Sequence, residues 1–232
     1  MNDSLQTAYP GYAGTGSVVQ RNRVLRNTYW LLALSMVPTV LGAWVGVTMG
    51  FNFFAANPLM GFVAFMVIAF GFFYAIERTK NSGLGVVLLL AFTFFMGLML
   101  SRLIHSILGF SNGSELIMIA FGGTAVVFVG MATLATTMKR DVSGLGKWLM
   151  VGALGIIAAS VANIWLQQPA LFLAVAVLAI VIFSAFILYD LKRVVDGGET
   201  NYVTATLSVY LSIYNVFQSL LSILGVFGGQ RD

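Results

Sequence analysis

The sequence predicts an all-α, polytopic membrane protein with seven transmembrane helices. Of its 232 residues 59% are hydrophobic and only 9% are charged, whereas about a quarter of the residues in a soluble domain are charged. A hydrocarbon core about 30 Å thick requires roughly 20 apolar residues of helix, and about seven runs of that length follow one another here. The runs lack the alternation of a membrane β-barrel, so helices must satisfy their backbone groups in lipid.

The predicted spans are separated by short connections that carry most of the charge. Arginines precede the first span, and charged residues follow the second, fourth and sixth. Pro38 in the first span is compatible with a tolerated kink. In order, we place the spans at Thr28 to Met49, Pro58 to Ile76, Gly83 to Ile104, Glu115 to Met138, Leu145 to Leu166, Pro169 to Tyr189 and Val203 to Phe227.

Small residues recur every four positions in the first span, at Gly42, Gly46 and Gly50. Helices that already lie in lipid gain no further hydrophobic drive when they associate, so close packing depends on small side chains. The spacing therefore predicts a compact bundle, and it does not indicate a dimer.

Positive charge falls in alternate connections, which predicts the orientation, because loops rich in Lys and Arg stay in the cytoplasm. We expect 1–27 to be a disordered cytoplasmic tail, 28–227 the seven-helix transmembrane domain, and 228–232 a short periplasmic tail. Ten of the twelve Lys and Arg residues follow this pattern: Arg21, Arg23, Arg26, Arg78, Lys80, Lys139, Arg140, Lys147, Lys192 and Arg193.

The two remaining basic residues are Arg231 and Arg102. Arg102 and the single histidine, His105, could line a pathway, but snorkelling of the Arg102 side chain to the interface is the favoured interpretation. The net charge of +4 resides at span ends, where anionic lipid head groups attract it. Membrane lipids are therefore expected partners, and nucleic acid is not.

The seventh span contains the most polar side chains. At about 100° per residue, six of them form one stripe about 80° wide. Such a stripe either packs through hydrogen bonds against other helices or forms the wall of a polar pathway, and both alternatives place this helix inside the bundle. The stripe consists of Thr204, Ser208, Ser212, Asn215, Ser219 and Ser222.

Asp190 ends the sixth span and is the best candidate for a titrating site in the chain. A carboxylate at the edge of hydrocarbon is costly unless it is paired or hydrated. The alternative is an ordinary interfacial aspartate, solvated or loosely paired with Lys192 or Arg193. Arg78, at the end of the second span on the same predicted side, offers a further partner.

The sequence contains no recognisable set of catalytic residues. The chain has one histidine and no cysteine. The lack of cysteine excludes a thiol nucleophile and a Cys-ligated zinc site, and neither a zinc-protease motif nor the nucleophile elbow of hydrolases is present. We therefore expect a non-enzyme without a cofactor and assign no metal site. A solute transporter is disfavoured because the chain shows no repeated halves.

Four segments resemble the Bax inhibitor-1 family, in particular its bacterial YccA-like branch. The longest is 196–225, which begins Asp-Gly-Gly-Glu-Thr-Asn-Tyr and ends Ser-Ile-Leu-Gly. The others are Val-Leu-Arg-Asn-Thr-Tyr at 24–29, Phe-Gly-Gly-Thr-Ala-Val-Val-Phe at 121–128, and Val-Ala-Asn-Ile-Trp-Leu-Gln-Gln-Pro-Ala-Leu at 161–171. The resemblance implies seven helices with the last enclosed by the other six. It also implies a bacterial inner-membrane protein that binds the membrane AAA protease FtsH and modulates proteolysis of membrane proteins.

Other members of this family resemble pH-sensitive calcium leak channels with one aspartate on each of the last two helices and a competing arginine on the second helix. Asp190 matches the first aspartate, and Arg78 is the candidate for the arginine, but Ser212 stands where the second aspartate is expected. A single carboxylate lacks the coupled titration of a pair and offers fewer oxygen ligands to calcium. The presence of Ser212 in place of the second aspartate favours protease modulation as the function, with a calcium or cation leak as the alternative.

Overall fold

The computed structural model describes residues 12–51 and 57–230. This part of the chain is all-α, without strands, as predicted. Each of its seven helices contains a stretch long and apolar enough to cross a membrane. The helices are α1 (Tyr12–Thr48), α2 (Pro58–Thr79), α3 (Gly83–Leu108), α4 (Gly113–Thr137), α5 (Leu145–Leu166), α6 (Pro169–Val195) and α7 (Tyr202–Gly228).

Helix α1 begins at Tyr12, well before the start predicted at Thr28. Residues 12–27, expected to be a disordered tail, thus belong to a helix, whereas 1–11 lie outside the described residues. An apolar run marks where a helix is buried in lipid, but the backbone hydrogen bonds of a helix can continue beyond the membrane, so the ends of the run do not fix the ends of the helix. For the same reason α6 extends beyond Tyr189 to Val195 and contains Asp190.

Helices α1 and α3 approach each other at glycines. A side chain at Gly42 would meet the carbonyl oxygen of Phe94, and one at Gly97 would meet that of Thr39. Gly46 lies against Ser101, whereas Gly50 has a φ of +63° and nothing within 4 Å of an added Cβ. The small-residue spacing therefore serves helix packing at two of its three positions.

Helix α7 contacts α1, α2, α3, α4 and α6. Over residues 201–217 every residue is buried or half-buried. Phe92 of α3 and Leu191 of α6 are fully buried with Tyr210 in one apolar cluster. Enclosure of α7 by all six other helices stays a prediction.

Hydrogen bonds join the connections at each end of the bundle. At one end the Asn201 side chain accepts from the N–H of Val203, which caps α7, and donates to the carbonyl of Lys80 at 3.2 Å. At the opposite end Asn112 donates to the carbonyl of Gly228 at 2.7 Å and accepts from the N–H of Gln230 at 3.1 Å. We call the first the basic end, because the α2–α3, α4–α5 and α6–α7 connections carry or flank most of the basic residues.

Candidate functional site

A cleft of about 790 Å³ opens between α5, α6 and α7 near the basic end. It brings together Asp190 and Ser212, two of the predicted site residues, and adds Ser208 from the α7 stripe. The rest of its lining is Ser143, Gly146, Lys147, Met150, Ala153, Phe183, Phe186, Tyr189, Arg193 and Leu211.

Asp190 lies in the second-to-last turn of α6 and is only 9% exposed. Its side chain forms no hydrogen bond or ion pair with the residues of 19–51 and 57–230. No fully buried side-chain polar atom in those ranges lacks a partner, so the Asp190 carboxylate must reach the cleft. The charges of Arg193 and Glu199 both act on it electrostatically.

The end of α6 fixes where this carboxylate lies. Gly197 adopts a φ of +82°, in the left-handed region that favours glycine. The N–H of Gly198 then donates to the carbonyl of Arg193 at 2.8 Å, and the N–H of Gly197 donates to that of Val194 at 3.1 Å. This pattern is a Schellman motif, which ends the helix less than two turns after Asp190.

The cations expected near Asp190 have other contacts. Lys192 forms an ion pair with Asp196 at 2.7 Å, and the Arg193 guanidinium lies 5.7 Å from the centre of the Tyr189 ring. Arg78 donates to the Tyr74 hydroxyl at 3.2 Å on the exposed side of α2 and does not line the cleft. Asp190 thus faces the cleft with Arg193 at its rim.

The α7 stripe bonds mainly to its own helix. Ser212 donates to the carbonyl of Ser208 at 3.2 Å, and Asn215 donates to that of Leu211 at 2.8 Å. Thr204 and Ser222 likewise donate to carbonyls of Asn201 and Gln218. These four side chains therefore find their acceptors within α7 or at its N-cap, and these bonds do not connect α7 to another helix.

Residues outside the stripe form the bonds between helices. Tyr210 shares a hydrogen bond of 2.8 Å with the Thr39 hydroxyl of α1, and Tyr214 donates to the Met96 carbonyl of α3 at 3.2 Å. Thr206 also donates to the Thr28 carbonyl at 3.3 Å. Our sequence reasoning emphasised the stripe and missed these bonds, although a tyrosine hydroxyl in an apolar span requires a partner.

The polar rim continues into the α4–α5 connection. Ser143, which lines the cleft, donates its N–H to Asp141 at 2.8 Å and its hydroxyl at 2.9 Å. These two bonds stabilise the charged carboxylate and lower the pKa of Asp141. A hydrogen bond from Lys80 to Glu77 at the same end raises the pKa of Lys80.

A metal centre is not evident in the part of the chain that the structure describes, where no three or more His, Asp or Glu side chains converge. Asp190 supplies the cleft lining with a single carboxylate. Arg102 and His105 are both exposed on α3, away from the cleft. The cleft therefore combines one unpaired carboxylate, three serine hydroxyls and a basic rim.

Comparison with known proteins identifies the family. The family model described as "Inhibitor of apoptosis-promoting Bax1" matches residues 21–229. The chain belongs to this Bax inhibitor-1 family. The match covers all seven transmembrane spans and confirms the resemblance predicted from four short segments.

Bacterial relatives within the family align over nearly their whole length. A protein of Escherichia coli K12 named "Modulator of FtsH protease YccA" is 38% identical over 90% of this chain and 92% of its own. An uncharacterized protein of Neisseria meningitidis serogroup A is 37% identical over 94% of this chain and 97% of its own. A Pseudomonas aeruginosa protein is 37% identical over 89% of this chain and 90% of its own.

Proposed function

We propose that the protein is a multi-pass inner-membrane regulator that binds an FtsH-type membrane protease and modulates its proteolysis of membrane proteins. The observation that carries the proposal is the end-to-end similarity to an Escherichia coli protein named as a modulator of that protease. A matching protein from another strain is named as an inner membrane protein. On this proposal the chain acts as a binding partner and is not itself an enzyme.

Reconstitution tests this proposal. The purified protease would be placed in liposomes with and without the full chain, and degradation of a membrane substrate followed over time. We expect the chain to change the degradation rate and to co-purify with the protease after mild solubilisation. The chain alone should leave the substrate intact. An unchanged rate together with no co-purification would refute the proposal.

The proposed orientation places the basic end and the N-terminus in the cytoplasm and the C-terminus in the periplasm. The chain has no cysteine, so single cysteines introduced at Ser143 and at Ser111 would be unique labels. A membrane-impermeant maleimide should label Ser111→Cys in cells with a permeabilised outer membrane, and Ser143→Cys only after lysis. The reverse pattern would invert the topology.

The second candidate function is a pH-sensitive calcium or cation leak. One observation favours it, namely that Asp190 lines the cleft with Ser212 and without an ion-pair partner in the described part of the chain. Calcium flux into proteoliposomes between about pH 6 and 8, a range in which a perturbed carboxylate can titrate, tests it. Asp190→Asn should abolish the pH dependence, and Ser212→Asp should strengthen it. A tight bilayer with the folded protein at every pH would exclude the leak.

A further inference from the structure

The cleft between α5, α6 and α7 is amphipathic along its length. Lys147 lies in the first turn of α5, and Arg193 lies in the last turn of α6, so both occupy the basic end. At about 1.5 Å per residue, Ala153 lies roughly 9 Å deeper than Lys147. The lining further from the basic end is mostly apolar, with Met150, Ala153, Phe183, Phe186 and Leu211 beside the hydroxyls of Ser208 and Ser212.

The charges of the cleft are arranged for a ligand that carries both signs. Asp190 is nine-tenths buried, and its side chain forms no hydrogen bond or ion pair with any described residue. Lys147 and Arg193 are exposed at the rim, and neither belongs to an ion pair in the described ranges. An ammonium group would neutralise the carboxylate, while a phosphate would accept hydrogen bonds from the two cations.

We propose that this cleft binds a membrane phospholipid with an ethanolamine head group. The head-group ammonium donates to Asp190, the phosphate accepts from Lys147 and Arg193, and the first part of an acyl chain lies along the apolar lining. A volume of about 790 Å³ is within the range of about 300–1,000 Å³ typical of small-molecule sites. Met150 lines the cleft and is 56% exposed, so the site communicates with the surface of the bundle.

The same features disfavour other occupants. A tightly bound divalent cation requires several oxygen ligands, whereas Asp190 is the one carboxylate in a lining that also contains two positive side chains. A glycerol head group offers no positive charge to Asp190, and a choline head group has no N–H to donate. The proposal goes beyond protease modulation and does not depend on it.

Lipid titration of the delipidated full-length protein in detergent, followed by native mass spectrometry, tests the site. The probes are dioleoyl phospholipids with ethanolamine, choline or glycerol head groups. We expect one ethanolamine lipid to bind about tenfold more tightly than the other two, as a single charge-assisted hydrogen bond allows. Similar affinities for all three lipids in the wild type would overturn the proposal.

Three variants test which side chains of the cleft produce the preference for the ethanolamine head group. Asp190→Asn should abolish the preference for ethanolamine and should not weaken glycerol binding, because the glycerol head group makes no bond to the carboxylate. Lys147→Gln combined with Arg193→Gln should weaken all three lipids about tenfold because the phosphate loses both cations. Glu77→Gln, which removes an exposed carboxylate at the same end, is the matched control and should change nothing. A preference retained in Asp190→Asn would overturn the proposal.

A fourth variant keeps the test decisive if Asp190→Asn does not fold. Ala153→Phe fills the apolar part of the cleft and leaves every charge in place. It should weaken the binding of all three lipids, because the acyl chain loses its position. Ethanolamine lipid binding at the wild-type level in this variant would show that the cleft is not the site.

Discussion

The α1–α3 interface and the α5–α6–α7 cleft represent two opposite ways of arranging membrane helices. In the interface, glycine Cα atoms of each helix face backbone atoms of the other, as at Gly42 against Phe94 and Gly97 against Thr39. In the cleft, α5 and α7 both pack on α6 but lie apart from each other, and the atoms nearest to a Cβ at Gly146 belong to the end of the Tyr189 side chain. Backbone contacts leave no room for adjustment, whereas side chains at the cleft can move to admit a ligand.

The largest expected effect comes from a substitution that disrupts the α1–α3 interface. Gly97→Ala places a Cβ 2.9 Å from the Ala43 nitrogen and still closer to the Thr39 carbonyl oxygen, so the helices must separate. We expect a loss of about 1–3 kcal/mol in the free energy of unfolding, as for other overpacked sites. Thermal unfolding in detergent measures it.

The matched control is Gly71→Ala on α2, where an added Cβ has nothing within 4 Å. Because alanine is the better helix former, this variant should be neutral or stabilised by up to about 1 kcal/mol. Equal destabilisation of the two variants would mean that α1 and α3 are less closely packed than described.

The next effect concerns the hydrogen bonds between α7 and the α1–α3 pair. Tyr214→Phe removes the donor to the Met96 carbonyl and should cost about 0.6–1 kcal/mol, the usual worth of such bonds in membrane proteins. Chemical unfolding in mixed micelles measures the change. Tyr74→Phe is the control, because the exposed Tyr74 hydroxyl bonds to Arg78 of its own helix. A loss of the same size there would assign the effect to something other than the bond between helices.

A smaller effect is expected when the cleft itself is altered. Gly146→Ala places a Cβ 2.5 Å from the Tyr189 hydroxyl oxygen, and that half-buried side chain can move aside because it borders the open cleft. We expect a stability change within about 0.5 kcal/mol, together with altered lipid affinity if Tyr189 shifts into the cleft. A loss as large as that of Gly97→Ala would show that the cleft is as rigid as the interface.

The smallest effect lies at the rim of the cleft and depends on pH. The bonds from Ser143 lower the pKa of Asp141 below its ordinary value of 3.8, so their stabilisation is present above that value. It is lost as the pH falls through the lower, folded-state pKa. Asp141→Asn should flatten this acid dependence of thermal stability slightly, and a variant curve parallel to that of the wild type would contradict the assignment.

The sequence predicts one of these two regions better than the other. Gly42 and Gly46 lie in one helix at a spacing that indicates close packing, and the structure shows both against α3. Their partners could not be named, because the pairing of α1 with α3 depends on how all seven helices assemble. The apolar runs likewise place the spans, whereas the start of α1 at Tyr12 depends on helix propensity outside the membrane.

The cleft could be predicted only in part. The apolar-to-polar transition in the sequence singled out Asp190, and the periodicity of α7 singled out Ser212. Lys147 comes from a third helix far away in the chain, so no local pattern could join it to them. Arg78 was expected beside Asp190 because both end spans on the same side, but several helices share that side, and Arg78 contacts Tyr74 instead.

The hydrogen bond between Thr39 and Tyr210 spans 171 positions of the chain. At about 5–20 residues per second, the ribosome needs roughly 10 to 30 seconds to make the later partner after the earlier one. In the later part of that interval, once α3 (Gly83–Leu108) has been made, α1 and α3 are in the membrane without α7, and the site that receives the Tyr210 hydroxyl is open. Folding in the membrane therefore includes a delay, during which cellular quality control can act on a bundle that still lacks α7.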